Sequence, residues 1–460
     1  MREARKDTAA DRFKDRDMEH TFNGGIHPYD GKDLSKDKKI IEYSTKGEAV
    51  YPLSQHIGAP AKPVVKKGDA VLAGQLIAEA GGFVSAPVYS AVSGTVKAIE
   101  KRRVPTGDMV ESVVIDNDGE FTPAVSGAED ESRKPDKDAV PEGTVIIERI
   151  KAAGIVGMGG AGFPTHVKLS PKEPDKIEYI IANCAECEPY LTSDYRMMLE
   201  HPDELVGGLK LVLSLFKNAR GIIAIEDNKP DCIELLKKVC RDEPGIEVMS
   251  LATKYPQGSE RQLIYAVTGR AIHSKMLPAD AGCIVDNCDT LIAIYDAVIN
   301  EKPLTHRIVT VTGDGIENPC NFRVPIGTPM YELIEAAGGL KEGVEKVVCG
   351  GPMMGFALFD LNVPVTKTSS ALLCIRSDEV SKCKPSPCIN CGQCVEACPS
   401  RIIPARLAAF ADHGDEEAFE AYHGMECMEC GCCSYVCPAK RQLTQSIKSM
   451  RKALLAKKRK

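Results

Sequence analysis

The sequence predicts a multidomain protein of α/β and β architecture, with a compact β unit, a larger α/β domain, a small mixed α/β module and a cysteine-rich end. The chain has 460 residues, which is more than one hydrophobic core organises. Short β-type runs give way to alternating strands and helices across a charged linker. A repeated cysteine pattern then fills the C-terminal part, so each part of the chain has its own signature.

The composition excludes several classes of protein. Hydrophobic residues at 43% and charged residues at 27% are close to the globular average, which disfavours a disordered or fibrous chain. No apolar run approaches the roughly 18 residues that a membrane crossing needs, and the N-terminus is densely charged rather than a signal peptide. We therefore expect a cytosolic chain, in which the 19 cysteines are metal ligands or reactive thiols rather than disulfides.

Charge is distributed unevenly along the chain. The net charge is −7, but residues 439–460, a basic C-terminal tail, contain nine basic residues and no acidic one. The remaining acidic body argues against nucleic-acid binding. The tail itself has two interpretations: contact with an anionic membrane face or an acidic partner, or a solvated and partly frayed terminal helix.

Residues 1–39 form a charged N-terminal segment whose only distinctive motif is Gly24-Gly25-Ile26-His27-Pro28. Residues 40–121 carry short β-type runs separated by turn signals and predict a barrel-sandwich-like β domain. This pattern resembles biotinyl and lipoyl carriers. Its central turn lacks the lysine that would carry such a cofactor, which favours a structural role.

Residues 122–142 are a charged, proline-punctuated linker. Residues 143–301 then alternate between strand and helix patterns, which predicts a mostly parallel sheet covered by helices. The expected strands are 177–182, 221–225 and 246–251, and the expected helices are 144–153, 230–240, 258–267 and 287–298. Residues 302–377 predict a smaller mixed α/β module with a helix at 328–337 and a strand at 345–349.

Residues 378–438 contain the strongest signal in the chain. The pattern Cys-x2-Cys-x2-Cys-x3-Cys-Pro occurs twice, and each run has the bacterial ferredoxin spacing for [4Fe–4S] clusters. Because the fourth cysteine of each such run ligates the other cluster, we assign two crossed ligand sets. They are Cys388, Cys391, Cys394 and Cys437 for the first cluster, and Cys427, Cys430, Cys433 and Cys398 for the second. Zinc is the weaker alternative, and only the repeat spacing excludes Cys432 as a ligand.

A glycine loop follows the first expected helix of the α/β domain. Gly157, Gly159, Gly160 and Gly162 let the backbone approach a flat ring or a phosphate closely, and Lys168 is placed to meet a phosphate. The G-x-G-x-x-G spacing alone is weak, because a helix rather than a strand precedes it. A tight structural turn is the alternative.

Polar side chains follow the expected strand 177–182. Asn183, Glu186 and Glu188 lie at the carboxyl end of a parallel strand, where open α/β sheets bind ligands. Their side chains can hydrogen-bond ribose or ribityl hydroxyls. The Cys-x2-Cys pair within this segment is interpreted as packing residues, because a thioredoxin-like redox motif is expected to open a helix.

These segments resemble the flavin and NADH-binding subunit of respiratory complex I. Residues 157–168 are similar to its Gly-Arg-Gly-Gly-Ala-Gly-Phe-Pro-Thr loop and following lysine, and residues 183–189 to its Asn-Ala-Asp-Glu-x-Glu-Pro. Residues 255–260 and 286–290 resemble its Tyr-x-x-Gly-Glu-Glu and Asn-Asn-Val-Glu-Thr segments. Three positions depart from arginine, aspartate and glutamate in that family, namely Met158, Ala185 and Ser259.

The resemblance implies a pocket for FMN and NAD(H), with no side chain acting as a catalytic acid or base. It implies that Glu188 and Phe163 face the nicotinamide nucleotide. The residues that it assigns to FMN are Gly159, Gly160, Lys168, Asn183, Glu186 and Asn287, with Gly157, Gly162, Gly258 and Glu260 completing the cofactor-binding set.

The order of the parts narrows the match. Over nearly the whole chain, this order resembles that of the RnfC family of the Rnf electron-transport complexes. The parts, in order, are a Gly-Gly-Ile-His-Pro segment, a barrel-sandwich unit, a complex-I-type FMN/NADH-binding α/β domain, a β-grasp-like (SLBB) module and a two-[4Fe–4S] ferredoxin-like domain. Cobalamin reductases of bacterial microcompartments are similar in their central parts but place the barrel-sandwich segment at the C-terminal end.

The resemblance implies a peripheral electron-transfer subunit of a membrane-bound, ion-translocating ferredoxin:NAD oxidoreductase. A hydride carries two electrons and each cluster accepts one, so a flavin is the converter that such a chain needs. The implied partners are membrane subunits and a ferredoxin-type subunit, and the implied location is the cytoplasmic face of the cell membrane. Two alternatives stay open: a non-enzymatic iron–sulfur relay that has lost nucleotide binding, and a cobalamin-reductase-type flavoprotein.

Overall fold

The computed structural model describes residues 20–124 and 141–458, and its domains follow in the order expected from the sequence. Residues 1–19 of the N-terminal segment, residues 125–140 of the expected linker and the last two residues of the basic tail lie outside the described residues. Within the described ranges, no helix is long and apolar enough to cross a membrane.

Two small sheets form the barrel-sandwich domain, with strand orders β2-β8-β7-β4 and β3-β5-β6. Tyr51, Ile77 and Val113, from strands of both sheets, are fully buried in one core, which explains the apolar residues between the turn signals. The first eight strands of the chain are β1 (Ile40–Glu42), β2 (Ala49–Pro52), β3 (Lys62–Pro63), β4 (Ala70–Val71), β5 (Leu76–Glu79), β6 (Val88–Tyr89), β7 (Gly94–Arg103) and β8 (Met109–Asn117).

Four parallel strands in the order β11-β10-β9-β12 form the sheet of the α/β domain. Asn287 begins the last helix by accepting a hydrogen bond from the backbone N–H of Asp289 (3.0 Å), which is a standard N-cap. The elements are α1 (Gly143–Ala152), α2 (Thr165–Lys168), β9 (Tyr179–Asn183), α3 (Ser193–Glu200), α4 (Pro202–Leu213), β10 (Arg220–Glu226), α5 (Pro230–Val239), β11 (Ile246–Leu251), α6 (Glu260–Thr268), β12 (Cys283–Asn287) and α7 (Cys288–Val298).

Every strand and helix expected in this domain is present within two residues at each end. The sequence interpretation missed α3 and α4, which carry buried apolar faces, and the short strand β12. Strand β12 pairs with β9 in parallel, with Asn287 beside Asn183. This pairing brings two of the predicted cofactor residues to the same edge of the sheet.

A six-stranded mixed sheet in the order β1-β14-β13-β17-β15-β16 forms the SLBB module. Strand β1 lies parallel to β14, with Ile40 beside Asn321, so the structure moves residues 40–42 out of the barrel domain, where the sequence placed them. Exposed strand-like residues give no signal of which sheet they join. The elements are β13 (His306–Thr312), β14 (Cys320–Pro325), α8 (Met330–Ala336), β15 (Lys346–Cys349), β16 (Phe356–Leu358) and β17 (Ala371–Ile375).

Short helices build the ferredoxin-like domain, and its last helix belongs to its core. Ile447 and Leu454 on that helix are buried against residues of the cysteine runs, whereas Lys457 and Lys458 pair with Glu416 and Glu420, each at 2.6 Å. The described part of the basic tail is therefore a packed helix, which is part of this domain. The helices are α9 (Glu379–Lys382), α10 (Gln393–Glu396), α11 (Pro404–His413), α12 (Glu416–Ala421), α13 (Cys432–Tyr435) and α14 (Leu443–Lys458).

The N-terminal segment joins the α/β domain to the ferredoxin-like domain. Ile26 N donates to Tyr255 O, and Gly25 N donates to Ala397 O, both at 2.9 Å. Gly24 has φ +88°, and a Cβ there would lie 2.9 Å from the carbonyl oxygen of Cys398. The glycine pair is therefore required where two backbones meet, beside a predicted cluster ligand.

Truncation of Ile447 to alanine is expected to destabilise the ferredoxin-like domain by about 3 kcal/mol, because it leaves a cavity in the core beside the clusters. The temperature at which cluster absorbance is lost on heating measures the effect. Leu455→Ala is the matched control on the same helix, since Leu455 is 40% exposed. Equal effects of the two variants would contradict a core role for α14.

Candidate functional site

A large cavity collects every residue that the sequence assigns to FMN and NAD(H). Its volume is about 2180 Å³, whereas a pocket for one ligand measures roughly 300–1,000 Å³. All four domains contribute to its wall. The predicted residues that line it are Gly157, Gly159, Gly160, Gly162, Phe163, Lys168, Asn183, Glu186, Glu188, Gly258, Glu260 and Asn287. Their individual roles stay predictions.

The glycine loop is a tight turn that faces the cavity. Gly157 N donates to Phe163 O (2.9 Å), which closes the loop on itself. A Cβ on Gly159 would lie within 3.0 Å of the Asn287 side chain, whereas a Cβ on Gly160 would meet no atom within 4 Å. The loop thus packs on the α/β domain along one side and leaves open backbone on the other. This cradle fits a cofactor that the backbone contacts directly.

Lys168 is held by a carboxylate at the base of the cavity. Its Nζ donates to Val285 O (2.7 Å) and to Asp286 Oδ1 (2.9 Å). Burial lowers the pKa of Lys168, but the carboxylates of Asp286 and Glu260 outweigh it, so the pKa is raised. The lysine therefore keeps its positive charge at the cavity wall, which suits a phosphate. The buried Oδ2 of Asp286 has no hydrogen-bond partner among the residues described.

The segment after β9, residues 184–191, forms an acidic turn. Glu186 adopts a left-handed conformation (φ +46°), and its Oε1 accepts from Asp194 N (2.7 Å). Glu188 Oε1 accepts from the backbone N–H groups of Met353 (2.7 Å) and Met354 (3.2 Å) in the SLBB module. Burial raises the pKa of Glu188, and it raises the pKa of Asp194 to about 7 with help from the nearby Glu186.

Arg307 is a cavity residue that the sequence interpretation missed. It lies on β13 of the SLBB module, and its Nη1 contacts Met158 Sδ (2.8 Å) and the carboxylate of Asp289, while Nε donates to Ser369 O (3.2 Å). A buried guanidinium thus stands beside the position where the complex I flavoprotein has its loop arginine. No local motif marks Arg307, because it comes from a separate domain.

The second predicted cluster site surrounds a small cavity. Cys398, Cys427, Cys430 and Cys433 all line it, so the fourth cysteine of the first run lies beside the second run. Cys432 also borders this cavity, and its Sγ contacts both Tyr255 O (4.0 Å) and the thiol of Cys430. The thiols of Cys398 and Cys433 are close enough to interact electrostatically. The donor set fits a [4Fe–4S] cluster.

The first predicted cluster site lies at the surface. Cys388 and Cys391 are exposed, and both interact electrostatically with the half-buried Cys394. Ser386 N donates to Ala439 O (3.0 Å), which joins the chain just before Cys388 to the chain just after Cys437. This hydrogen bond supports Cys437 as the crossed fourth ligand, which stays a prediction.

Single-ion geometry is absent from both sites. Among the residues that the structure describes, no three Cys, His, Asp or Glu side chains converge as the ligands of one metal ion would. The thiolates of a cubane bind separate irons at its corners, so they stand farther apart than the ligands of one ion. For a [4Fe–4S] site, the relevant observation is that the four cysteines lie around one region, and their sulfur atoms need not meet at a single point.

The second cluster site borders the large cavity. Cys430 lines both cavities, and the hydroxyl of the buried Tyr255 donates to Cys430 O (2.8 Å). Tyr255 belongs to the segment that resembles a cofactor-binding motif, so one residue contacts both the cavity wall and the cluster loop. The cofactor cavity and the second cluster site are therefore adjacent.

Four family models match the chain in the expected order, which confirms the predicted fold class. They are the RnfC barrel sandwich hybrid domain (residues 20–120), the Nuo51 FMN-binding domain (150–296), the SLBB domain (308–357) and the 4Fe-4S dicluster domain (387–440). The second and fourth matches confirm FMN and a pair of [4Fe–4S] clusters as the expected cofactors.

Curated relatives match nearly the whole chain. The C subunit of the Na(+)-translocating ferredoxin:NAD(+) oxidoreductase complex of Acetobacterium woodii is 44% identical over 445 residues, covering 96% of this chain and 98% of the relative. The C subunit of the proton-translocating complex of Clostridium ljungdahlii is 43% identical over 437 residues, covering 94% of each. The corresponding subunit of the ion-translocating oxidoreductase complex of Rhodobacter capsulatus is 39% identical over 402 residues, covering 86% of this chain and 76% of the relative.

The chain belongs to the RnfC family. Its relatives are subunits of oxidoreductase complexes, which confirms the expected family and reaction class. The N-terminal barrel domain distinguished this family from cobalamin reductases at the level of sequence, and the match at residues 20–120 agrees with that choice.

The crossed ligand sets of this RnfC-family chain predict different outcomes for neighbouring cysteines. Cys398→Ser is expected to lower the iron content from about eight to about four atoms per chain, because the second cluster loses its fourth ligand. Cys432→Ser is the matched control and is expected to keep about eight irons. Iron analysis with EPR of the reduced protein measures both. If Cys432→Ser lost a cluster while Cys398→Ser kept both, Cys432 rather than Cys398 would be a ligand of the second cluster.

Gly159→Ala is expected to weaken FMN binding about tenfold or more, because the added Cβ displaces Asn287 and with it the cap of α7. Fluorescence titration of flavin-free protein with FMN measures the dissociation constant. Gly245→Ala is a suitable control, since a Cβ at Gly245 meets no atom within 4 Å. Unchanged affinity in Gly159→Ala would contradict a close fit of the glycine loop.

Proposed function

We propose that this chain is the peripheral subunit of a membrane-bound ferredoxin:NAD oxidoreductase complex that exchanges electrons between NAD(H), FMN and two [4Fe–4S] clusters. The observation that carries the proposal is the shared position of Cys430, which lines both the cofactor cavity and the second cluster site. Residues expected to hold FMN thus lie next to residues expected to hold a one-electron acceptor. The names of the RnfC-family relatives support the same reaction.

The residues of the cavity divide into two groups by position. The glycine loop, Lys168 and Asn287 form a cradle with open backbone and a retained positive charge, which suits the ring and phosphate of FMN. Glu188 lies where the α/β domain meets the SLBB module and would face the nicotinamide nucleotide. Bound in this cradle, FMN would supply the chemistry of accepting two electrons as a hydride and releasing them singly. The chain binds and orients the reactants and supplies no acid or base.

The structure supports an order for the two clusters. Three of the four cysteines of the second cluster site are buried and the site borders the cofactor cavity, whereas Cys388 and Cys391 of the first site are exposed. Ile389, between them, is 65% exposed, so an apolar side chain is available to a docking partner. The second cluster is therefore the natural neighbour of the flavin and the first cluster the point of contact with a partner protein.

The proposal places the chain on the cytoplasmic face of the membrane, bound to membrane subunits and a ferredoxin-type subunit. Its relatives are subunits of complexes that translocate ions, which requires partners within the membrane. Ion translocation is assigned to those partners. No nucleic acid is expected to bind, since the body of the chain is acidic.

An anaerobic NADH titration of the reconstituted protein tests the proposal, with iron and flavin counted in the same sample. Bleaching of the flavin together with EPR signals of reduced [4Fe–4S] clusters is the expected result, with about eight irons per chain. The same titration on Cys391→Ser, which removes the exposed first cluster, is expected to retain NADH-dependent reduction of the second.

Two outcomes contradict parts of this assignment. Eight irons with no bound flavin and no response to NADH would leave a non-enzymatic iron–sulfur relay. Loss of all cluster reduction in Cys391→Ser, with the second cluster present, would reverse the order of the two clusters.

A further inference from the structure

Lys32 is a buried cation in the N-terminal segment, outside every motif that resembles a flavin-binding sequence. It is 5% exposed and begins a short 3-10 helix, Lys32–Leu34. Its Nζ donates to Leu191 O (2.5 Å) and Glu188 O (3.2 Å), and it lies 3.5 Å from Glu186 Oε2. The ammonium group therefore contacts three residues of the acidic turn that follows β9.

The ammonium group of Lys32 is the charged partner of the second carboxylate oxygen of Glu186. Oε1 accepts a hydrogen bond from Asp194 N, but the buried Oε2 makes no hydrogen bond within the described residues. The charge beside Oε2 is that of Lys32. Removing a carboxylate from water is costly without a compensating charge or hydrogen bonds, and a second acid, Asp194, lies close by.

The acidic turn also needs support for its backbone. Glu186 (φ +46°) and Tyr190 (φ +70°) both adopt the left-handed conformation that L-residues rarely occupy. Lys229, which immediately precedes α5, donates to Ala185 O (2.6 Å), and Lys32 donates to carbonyl groups farther along the turn. Two buried lysines from different parts of the chain thus hold the turn at opposite ends.

The approach of Lys32 is fixed by close packing of its neighbours. Gly31 has φ +59°, and a Cβ there would lie 2.4 Å from the ring of Tyr190. Ser35 Oγ and Thr192 Oγ1 are 2.8 Å apart, which ties the segment to the start of α3. The backbone of Tyr190 also donates to Asp30 O (2.5 Å). The segment is therefore docked against the turn on both sides of Lys32.

We propose that Lys32 is a positioning residue of the flavin site, which holds the acidic turn in its cofactor-binding shape and compensates the charge of Glu186. The N-terminal segment then completes the cofactor site, in addition to joining two domains. The inference rests on the proposed function, because it assumes that Glu186 contacts FMN. It adds a residue that neither the glycine loop nor the acidic turn contains.

A purely structural tether would use different chemistry. The other ties of this segment are backbone hydrogen bonds and a neutral hydroxyl pair, which cost little to bury when they are satisfied. Lys32 instead buries a full charge among two carbonyl oxygens and a carboxylate, and such a charge is costly unless it is paired and hydrogen-bonded. The identity of the partner, a predicted cofactor residue, distinguishes a positioning role from a tether.

The test measures FMN binding to flavin-free, cluster-loaded full-length protein by fluorescence titration. Lys32→Met is expected to weaken FMN binding about tenfold or more, the scale of one lost charge-assisted hydrogen bond, while Lys32→Arg stays within about threefold of wild type. Ser35→Ala removes the hydroxyl contact with Thr192 while the backbone contacts of the segment remain, and Lys36→Met removes a surface charge of the same segment that pairs with Asp33. Both controls are expected to bind FMN as wild type does.

A double-mutant cycle shows whether Lys32 acts through Glu186. In the Glu186→Gln background, Lys32→Met is expected to have a smaller effect, because it then removes only the hydrogen bonds of Lys32 to Glu188 O and Leu191 O and no charge compensation. If Lys32→Met alone fails to fold, as judged by iron content, the Lys32→Met/Glu186→Gln pair is expected to fold. A pair that still fails to fold contradicts the charge-compensation role.

Wild-type affinity for FMN in Lys32→Met, or an equal loss in Ser35→Ala, would overturn the inference and leave a simple tether. In either case wild-type protein still binds FMN, so the proposed function stands. A wild-type protein that binds no FMN would overturn both the proposed function and this inference.

Discussion

The buried carboxylates that follow strand β9 are the constraint on which the arrangement of this protein depends. A carboxylate removed from water must find a cation or hydrogen-bond donors, and the acidic turn takes them from several regions of the chain. Lys32 comes from the N-terminal segment, while the backbone of Met353 and Met354 comes from the SLBB module. The charge and hydrogen-bond partners of this one short turn therefore come from separate domains, which meet around the cavity.

Close backbone approach is the second requirement, and glycine meets it at two places. Gly24 allows the N-terminal segment to lie against Cys398, and Gly159 allows the glycine loop to lie against Asn287. Tyr255 then connects the cavity to the cluster loop through its hydroxyl group. A side chain at either glycine would separate parts that electron transfer requires to be adjacent.

Local patterns predicted most of the fold and twelve of the many residues that line the cavity. The cysteine repeat, the glycine loop and the acidic turn each combine residue type with fixed spacing, so one sequence was enough to place them. Sequence patterns did not identify Arg307 or Lys32. Each contacts a partner that lies far away in the sequence and in another part of the fold, so neither belongs to a motif with a fixed period or spacing. The sheet that strand β1 joins was also not predicted, because the residues of an exposed strand do not show which sheet edge they pair with.

The hydrogen bond between Gly25 and Ala397 has a consequence for how the chain is made. Synthesis proceeds from the N-terminus, and domains generally fold as they emerge. The segment that carries Lys32 leaves the ribosome before its partners in the α/β and ferredoxin-like domains, because Glu188, Leu191 and Ala397 lie far downstream. This segment therefore stays without those contacts until its partners are translated, and the part of the cavity wall that contains Cys430 is present only once translation has reached the cysteine runs.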